Sequence, residues 1–244
     1  MNKPAIECQA VCKFYGGKTV LNDVSLNLVA GSFFGLVGMN GSGKTTLIKT
    51  ILDLTACDSG SIKLFGKSHR EVRSREQVAY LPDRFTPPAY LRCQDFLSYM
   101  LALHNRAYDE TEIRQMFAEL ELDHEVLKTS VVNLSKGMTQ KLGLISCLLS
   151  GKKLLLLDEP MSGLDPRARV LFKQQLKKLK AQGTSLFFSS HALADVEEIA
   201  DTMSVLHHGE VLFSGTHSEF NQLYKGENLE QSYMNCLSQT SATV

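Results

Sequence analysis

The sequence lacks a prevailing charge: Lys and Arg number 26, as do Asp and Glu, in a chain of 244 residues. Attachment to nucleic acid through bulk positive charge is thereby excluded, because it needs a clear basic excess or stripe. A long apolar run is also missing. The longest candidates, Leu142–Leu149 and Leu154–Leu157, fall well short of the roughly 18–20 residues that carry a helix across a bilayer. The opening stretch MNKPAIECQA has no apolar core of the secretory-signal kind. The chain is therefore expected in the cytosol, with any membrane role supplied by a partner. Cysteine pairs are lacking too. The six cysteines, at 8, 12, 57, 93, 147 and 236, form no CxxC, and no His or Cys cluster has zinc spacing. They read as reduced thiols packed as small apolar side chains. No internal repeat is evident.

What is present is the composition of an ordinary globular protein, 43% apolar and 21% charged. Ala5–Phe14, Thr19–Leu21 and Ser25–Val29 read as short strands, with Gly16-Gly17 and Asn22-Asp23 as turns. Phe33–Val37, FFGLV, is a continuous apolar run of the kind buried on both faces of a sheet. A glycine-rich turn and a helix from Lys44 to about Leu52 follow, then strands at Ser61–Phe65 and Val78–Leu81. From Asp83 to Ser150 strand signals vanish. Leu91–His104 and Glu110–Leu122 carry apolar residues at helical spacing, which predicts a helical insertion.

The α/β pattern returns at Lys153 with the strand Leu154–Asp158. Asp165-Pro166 is an N-cap followed by Pro at the first helical position. That helix sets Ala168, Leu171, Phe172, Leu176 and Leu179 on one face and stops near Gly183. Ser185–Ser189 predicts a strand, Ala192–Ala200 a helix, and Met203–Leu206 with Glu210–Phe213 a hairpin about His208-Gly209. After Tyr224 the chain turns polar and irregular, which predicts a loosely packed tail.

Gly38, Met39, Asn40, Gly41, Ser42, Gly43, Lys44 and Thr45 fit the pattern G-x-x-x-x-G-K-[ST], with a buried strand before and a helix after. Glycines let the backbone fold tightly enough for successive N–H groups to face a phosphate. The helix N-terminus adds partial positive charge. In such a loop Lys44 reaches the β- and γ-phosphates of a nucleotide, Thr45 offers a hydroxyl to Mg²⁺, and Thr46 lies near the α-phosphate. Leu154–Leu157 then ends in Asp158 and Glu159. A carboxylate at the end of a buried strand suits Mg²⁺ through water, and the next one suits activation of an attacking water.

The remaining motifs resemble those of the ATP-binding cassette (ABC) family, in family order and up to about residue 220. LSKGM, Leu134 to Met138, is similar to the family signature, with Ser135 lying 23 residues before Asp158. SGLD, Ser162 to Asp165, resembles the D-loop, His191 the switch histidine, and Tyr15 the aromatic that stacks on adenine. The resemblance implies a P-loop NTPase (RecA-like) α/β core with an N-terminal antiparallel β subdomain and a helical insertion. It implies one ABC ATPase domain over 1–228, with 1–82 and 151–228 as nucleotide-binding core, 83–150 as helical subdomain, and a polar tail over 229–244.

Its ligands are then ATP and Mg²⁺. Glu159, His191 and Lys44 are catalytic, and Thr45, Asp158 and Asp83 are placed for the metal. Ser135 and Gly137 would read the γ-phosphate held by a second ATPase subunit, identical or closely related. Asp83 stands where the family often has Gln, while Lys136 and Met138 replace Gly and Gln of the signature. Histidines 69, 104, 124, 207, 208 and 217 read as surface residues, and Lys173, Lys177, Lys178 and Lys180 as the solvated face of a helix.

LSKGM, YLPD and the VLHHGEVLFSGT hairpin look most like bacterial export-type cassettes. The expected partner is a separately encoded transmembrane permease at the inner face of the cell membrane. It is expected to dock beside Asp83–Tyr90, where Pro87-Pro88 stiffens the chain and Phe85, Tyr90 and Leu91 offer apolar surface. Family members acting on ribosomes or DNA usually carry two cassettes, coiled-coil insertions or zinc ligands, and the sequence has none of these; no nucleic acid is expected.

Overall fold

The computed structural model describes residues 3–241. The chain divides into two compact units, one built from its two ends, up to Arg75 and from Ser185, and one from the middle, Glu76–Thr184. The leading segment holds β1 (Pro4–Tyr15), β2 (Lys18–Val29), β3 (Phe33–Val37), α1 (Lys44–Ile51), β4 (Ser59–Leu64) and β5 (Lys67–Ser68). The middle holds β6 (Val78–Leu81), α2 (Cys93–Leu103), α3 (Glu110–Glu119), α4 (Lys136–Leu148), β7 (Leu154–Leu157) and α5 (Pro166–Ala181). The last segment holds β8 (Ser185–Ser190), α6 (Leu193–Ile199), β9 (Thr202–His207), β10 (Glu210–Gly215), α7 (His217–Tyr224) and α8 (Leu229–Ser241). Among the described residues no helix is long and apolar enough to cross a membrane.

In the first unit, β2, β1, β4 and β5 form an antiparallel sheet in that order. Tyr15 pairs with Lys18 across Gly16 and Gly17, whose φ angles of 53° and 82° suit the tight two-residue turn. The turn expected at Asn22-Asp23 does not form: β2 runs unbroken through it. Pairing with β1 carries the ladder past these residues, and the irregularity is absorbed as a bulge. Asp23 takes φ 51° and its N–H donates to Cys12 Sγ at 3.3 Å.

The unit's other sheet brackets β3 between two parallel neighbours, β8 and β9, with β10 antiparallel on β9. All five residues of β3 are buried, as a strand covered on both faces requires. Phe34 stacks on Phe187 with ring centroids 5.2 Å apart. Helix α6 approaches so closely that a Cβ on Gly35 would lie 2.5 Å from Val196 Cγ1.

The loose tail expected after Tyr224 is instead ordered. Helix α7 starts with a capping box between Thr216 and Glu219. Phe220, fully buried, packs against Phe213 and Tyr224, each 4.8 Å away by ring centroid. Helix α8 buries Leu229, Ser232 and Cys236, and the Ser232 hydroxyl donates to Asn221 Oδ1 at 2.6 Å. The polar composition conceals a narrow inward face. His69, expected at the surface, is 3% exposed, its Nδ1 lying 3.1 Å from the Ile62 carbonyl. His208 is exposed, and the other four of that group are half-buried.

In the middle unit, β6 pairs in parallel with β7, Val78 opposite Leu154 through Leu81 opposite Leu157. The helices pack Phe96, Leu97, Ile113, Phe117, Leu142 and Ile145 into one core; each such side chain contributes about 1.5–3 kcal/mol on burial. Helix α3 is capped by Asp109, and α5 by Asp165, whose carboxylate accepts from the Ala168 N–H at 2.8 Å. Lys178 on α5 reaches Glu119 on α3 at 2.9 Å, so this part of the lysine run is ion-paired as well as solvated. Phe85 differs from the expectation of a free apolar surface. Its ring lies over Gly143, where a Cβ would come within 2.8 Å, and meets Phe96 edge-on at 5.7 Å. Tyr90, by contrast, is 85% exposed.

Candidate nucleotide-binding site

The loop between β3 and α1 is pinned from behind. Ser42 O accepts from the Gly209 N–H at 3.0 Å, and Gly209 O accepts from the Asn22 N–H at 2.8 Å. The hairpin turn between β9 and β10 thus links the loop to β2. Gly41 and Gly43 take φ of 83° and 111°, a region L side chains rarely occupy. A Cβ on Gly38 would lie 2.5 Å from Ser42 Oγ and closer still to Leu206 O. Ser42 Oγ is buried and has no hydrogen-bond partner among the described residues. Lys44 is 6% exposed, with Nζ donating to Gly38 O at 2.6 Å. The Lys44 ammonium lies against the carbonyls of Gly38 and, at 3.4 Å, Met39, in a glycine-rich loop that leads into a helix N-terminus, a setting suited to an anion. Thr45 is exposed and Thr46 half-buried at the same helix start.

Tyr15 closes the β1–β2 hairpin and is 49% exposed. One face is covered by Lys13, whose Nζ lies 5.1 Å from the ring centroid. Lys13 is itself held by Asp58 at 3.2 Å. The Phe14 N–H, and then Lys13, keep the Asp58 carboxyl below the usual carboxylate range. His191 follows β8 and is exposed, on a turn where Ser190 Oγ accepts from the Ala192 N–H at 3.0 Å.

In the middle unit Asp158 extends β7, its N–H donating to Leu81 O at 2.8 Å. The residue is fully buried. Its charge is felt next door: burial, then Asp158 and Asp83, push the Tyr80 phenol up to about 12. Asp83 itself is exposed, and Glu159 half-buried. Glu159 has φ 49°, an unusual backbone state for a residue with a Cβ. The turn it opens is closed by the Ser162 N–H donating to Glu159 O at 2.9 Å. Among the described residues no group of three or more His, Cys, Asp or Glu side chains is gathered to hold a metal.

Ser135 caps α4, its hydroxyl accepting from the Met138 N–H at 3.2 Å. Ser135 and Lys136 are exposed, so the helix start faces outward. Gly137 lies against the Ser162–Asp165 turn, with Gly163 O 3.4 Å from the place a Cβ would take. A cavity of about 440 Å³ joins Asp83, Arg84 and Thr86 to Lys136, Thr139 and Ser162.

The family model described as ABC transporter matches residues 21–162, more than half of the sequence. The chain belongs to the ABC transporter family. An uncharacterized ABC transporter ATP-binding protein of Synechocystis is 37% identical over 203 residues, covering 82% of this chain. The chain spans 57% of that relative's length. The Nod factor export ATP-binding protein I of Rhizobium leguminosarum is 33% identical over 86% of this chain and 69% of its own. A solved ATP-binding subunit of an ABC transporter superposes with a TM-score of 0.85 at 28% identity, over 96% of this chain and 99% of that one.

The expected P-loop NTPase fold, as an ATPase cassette of this family, therefore stands. Within the cassette, Lys44 folds back onto the Gly38 carbonyl of its own loop, and Asp83, Ser162 and the signature residues Leu134 and Lys136 line one cavity; Ser135 and Gly137 do not line it. Reasoning from sequence missed Gly209 as a support of the P-loop. A His-Gly pair reads as any hairpin turn, and nothing in the pattern shows that a nitrogen of the turn is spoken for. It also missed Gln140, which is 7% exposed in α4.

Proposed function

We propose that the chain binds and hydrolyses ATP as the motor of an ABC exporter, held at the inner face of the cell membrane by a separately encoded permease. It works with a second ATPase subunit, a copy of itself or a close paralogue. The observation that carries this reading is the P-loop nest, with the Lys44 ammonium 2.6 Å from Gly38 O at its centre. Lys44 exchanges that carbonyl for β- and γ-phosphate oxygens. The unpartnered Ser42 Oγ and the cramped space at Gly38 fit a loop whose polar groups face a ligand. The export sense is supported by the Nod factor export relative and by the signature and hairpin sequences.

The remaining roles follow from residue chemistry. Gly38 through Thr46 cradle the phosphates and Tyr15 stacks its free face on adenine. Thr45, Asp158 and Asp83 are oxygen donors of the kind that suits Mg²⁺ and would hold it, and the bound ion would neutralise phosphate charge. Glu159 orients the attacking water and takes its proton, and His191 donates to the γ-phosphate. Ser135 and the Gly137 N–H read the γ-phosphate held by the second subunit. We assign 1–82 and 151–228 to the nucleotide-binding core and 83–150 to the helical subdomain, with 229–244 as a C-terminal extension. The permease docks at the cavity beside Asp83, with Tyr90 as its apolar contact and Phe85 as a packed support.

Glu159→Gln tests the reading, since it keeps the shape and removes the base. ATP is still bound, hydrolysis falls by at least about a hundredfold, and gel filtration with ATP and Mg²⁺ shows a dimer. A variant that hydrolyses normally and stays monomeric overturns it.

A further inference from the structure

Gln140 sits in the second turn of α4 and is 7% exposed. Its amide leaves the helix: Nε2 donates to Pro160 O at 3.1 Å. Pro160 immediately follows Glu159, whose φ of 49° is the left-handed state that side chains other than glycine rarely adopt. Such a state persists where its surroundings over-determine it. Two hydrogen bonds do so here, the Ser162 N–H to Glu159 O at 2.9 Å and the Gln140 amide to the next carbonyl. The same helix start also presses on the far end of the turn. Gly137 lies against Gly163 O, and a Cβ on Gly163 would meet Lys136 Cε at 3.2 Å. The neighbouring polar side chains of α4 are spent elsewhere, Thr139 Oγ1 on Ser135 O at 3.0 Å and Lys141 Nζ on Glu121 O at 3.3 Å.

We infer that Gln140 is a positioning residue for ATP hydrolysis, whose amide holds the Glu159–Ser162 turn in the strained form that aims the Glu159 carboxylate. The inference rests on the reading of Glu159 as the base. Proline has no N–H, so the Pro160 carbonyl is the polar backbone group that this residue of the turn offers. When the donor is lost the buried carbonyl is left unpaired, and the turn is free to relax toward ordinary negative φ, which carries the carboxylate away. A misplacement of about 1 Å at a reacting group lowers a rate by up to about a hundredfold. Because the lever is the start of the signature helix, whatever that helix grips is transmitted to Glu159 of its own subunit through one amide.

The test compares Gln140→Met, which keeps bulk and removes the donor, with Gln140→Glu and Glu159→Gln in the full-length chain. Gln140→Met is expected to lower kcat for ATP at least about tenfold, with KM within about twofold, while the unpaired Pro160 carbonyl lowers the thermal midpoint by only a few degrees. Added to Glu159→Gln, it lowers the residual rate no further. Gln140→Glu is inactive while its carboxylate is ionised, and regains activity relative to wild type as falling pH protonates it and restores a donor. A merely structural role gives no such recovery. If Glu159→Gln hydrolyses normally, the reading of the base is wrong. If Glu159→Gln is inactive while Gln140→Met keeps the wild-type kcat, the inference about Gln140 is overturned. Should Gln140→Met fail to fold, absence of low-pH recovery in Gln140→Glu overturns it equally.

Discussion

Gly38→Ala is the sharpest perturbation of the nest, because one methyl group meets two walls. The added Cβ would stand 2.5 Å from Ser42 Oγ and nearer to Leu206 O, whereas ordinary contacts begin well beyond 3 Å. The hydroxyl of Ser42 can rotate away. Leu206 O belongs to β9, whose neighbours β3 and β10 hold it on both sides, so the loop must move instead. Moving it strains the Gly209 N–H to Ser42 O bond of 3.0 Å. Overpacking of this kind costs about 1–3 kcal/mol. Turning one N–H of the nest away from a phosphate forfeits a charge-assisted hydrogen bond of about 1.5–3 kcal/mol.

ATP affinity should therefore fall by roughly ten- to a hundredfold, measured by nucleotide titration beside urea unfolding. Gly60→Ala is the control. There φ is 85° and the methyl would overlap Ala10 O in the antiparallel sheet, so stability falls while affinity stays. Gly41→Ala, with φ 83° and open space around it, should show the backbone penalty alone, about 1–2 kcal/mol. An affinity for ATP in Gly38→Ala within about twofold of wild type, or an equal loss in Gly60→Ala, would refute the argument.

Lys44→Ala should lose most nucleotide affinity and nearly all hydrolysis, since its Nζ is the ammonium that the loop folds onto its own carbonyls; unchanged turnover in an ATPase assay would remove the site assignment. Thr216→Ala breaks the capping box of α7 and should lower stability by about 1 kcal/mol in urea titration, with ATPase activity retained. Burial, the largest cause at each, holds the His104, His207 and His217 rings below their ordinary pKa range. The unfolded chain then binds these protons more readily than the folded one. The thermal midpoint should be insensitive to these groups above pH about 6.5 and fall as pH drops below it; His217→Gln should flatten that fall.

The legible parts of the fold were those where burial and pattern coincide. FFGLV and LLLL are strands because short apolar runs bounded by turn residues suit a strand buried on both faces. Asp165-Pro166 marked the start of α5 because a cap and a preset φ both act locally. The P-loop and signature were legible for the same reason, since each needs particular residues at fixed offsets. What escaped depends on distant partners. Asn22-Asp23 looks like a turn until β1 pairs across it. Phe85 looks like a free apolar side chain until Gly143, nearly sixty residues on by sequence, turns out to have made room for its ring. Beyond Tyr224 the polar composition hides the few positions, Leu229, Ser232 and Cys236, by which α8 packs. The strained φ of Glu159 has no signature in sequence at all.

The hairpin turn at His208 and Gly209 has a practical consequence for anyone altering this molecule. A two-residue surface turn between strands is normally the first place to splice in a tag, a fluorophore or a longer loop. Here it is a closed position. Gly209 N–H and C=O are taken by Ser42 and Asn22, and a side chain at Gly209 would meet Val20 O at 2.5 Å. Lengthening the turn would pull a wedge from behind the phosphate loop without touching any residue that contacts phosphate. An insertion library scanned for ATPase activity should show a gap at this turn, while the exposed turn at Gly183 after α5, with open space around the glycine and no assigned site residue beside it, accepts cargo.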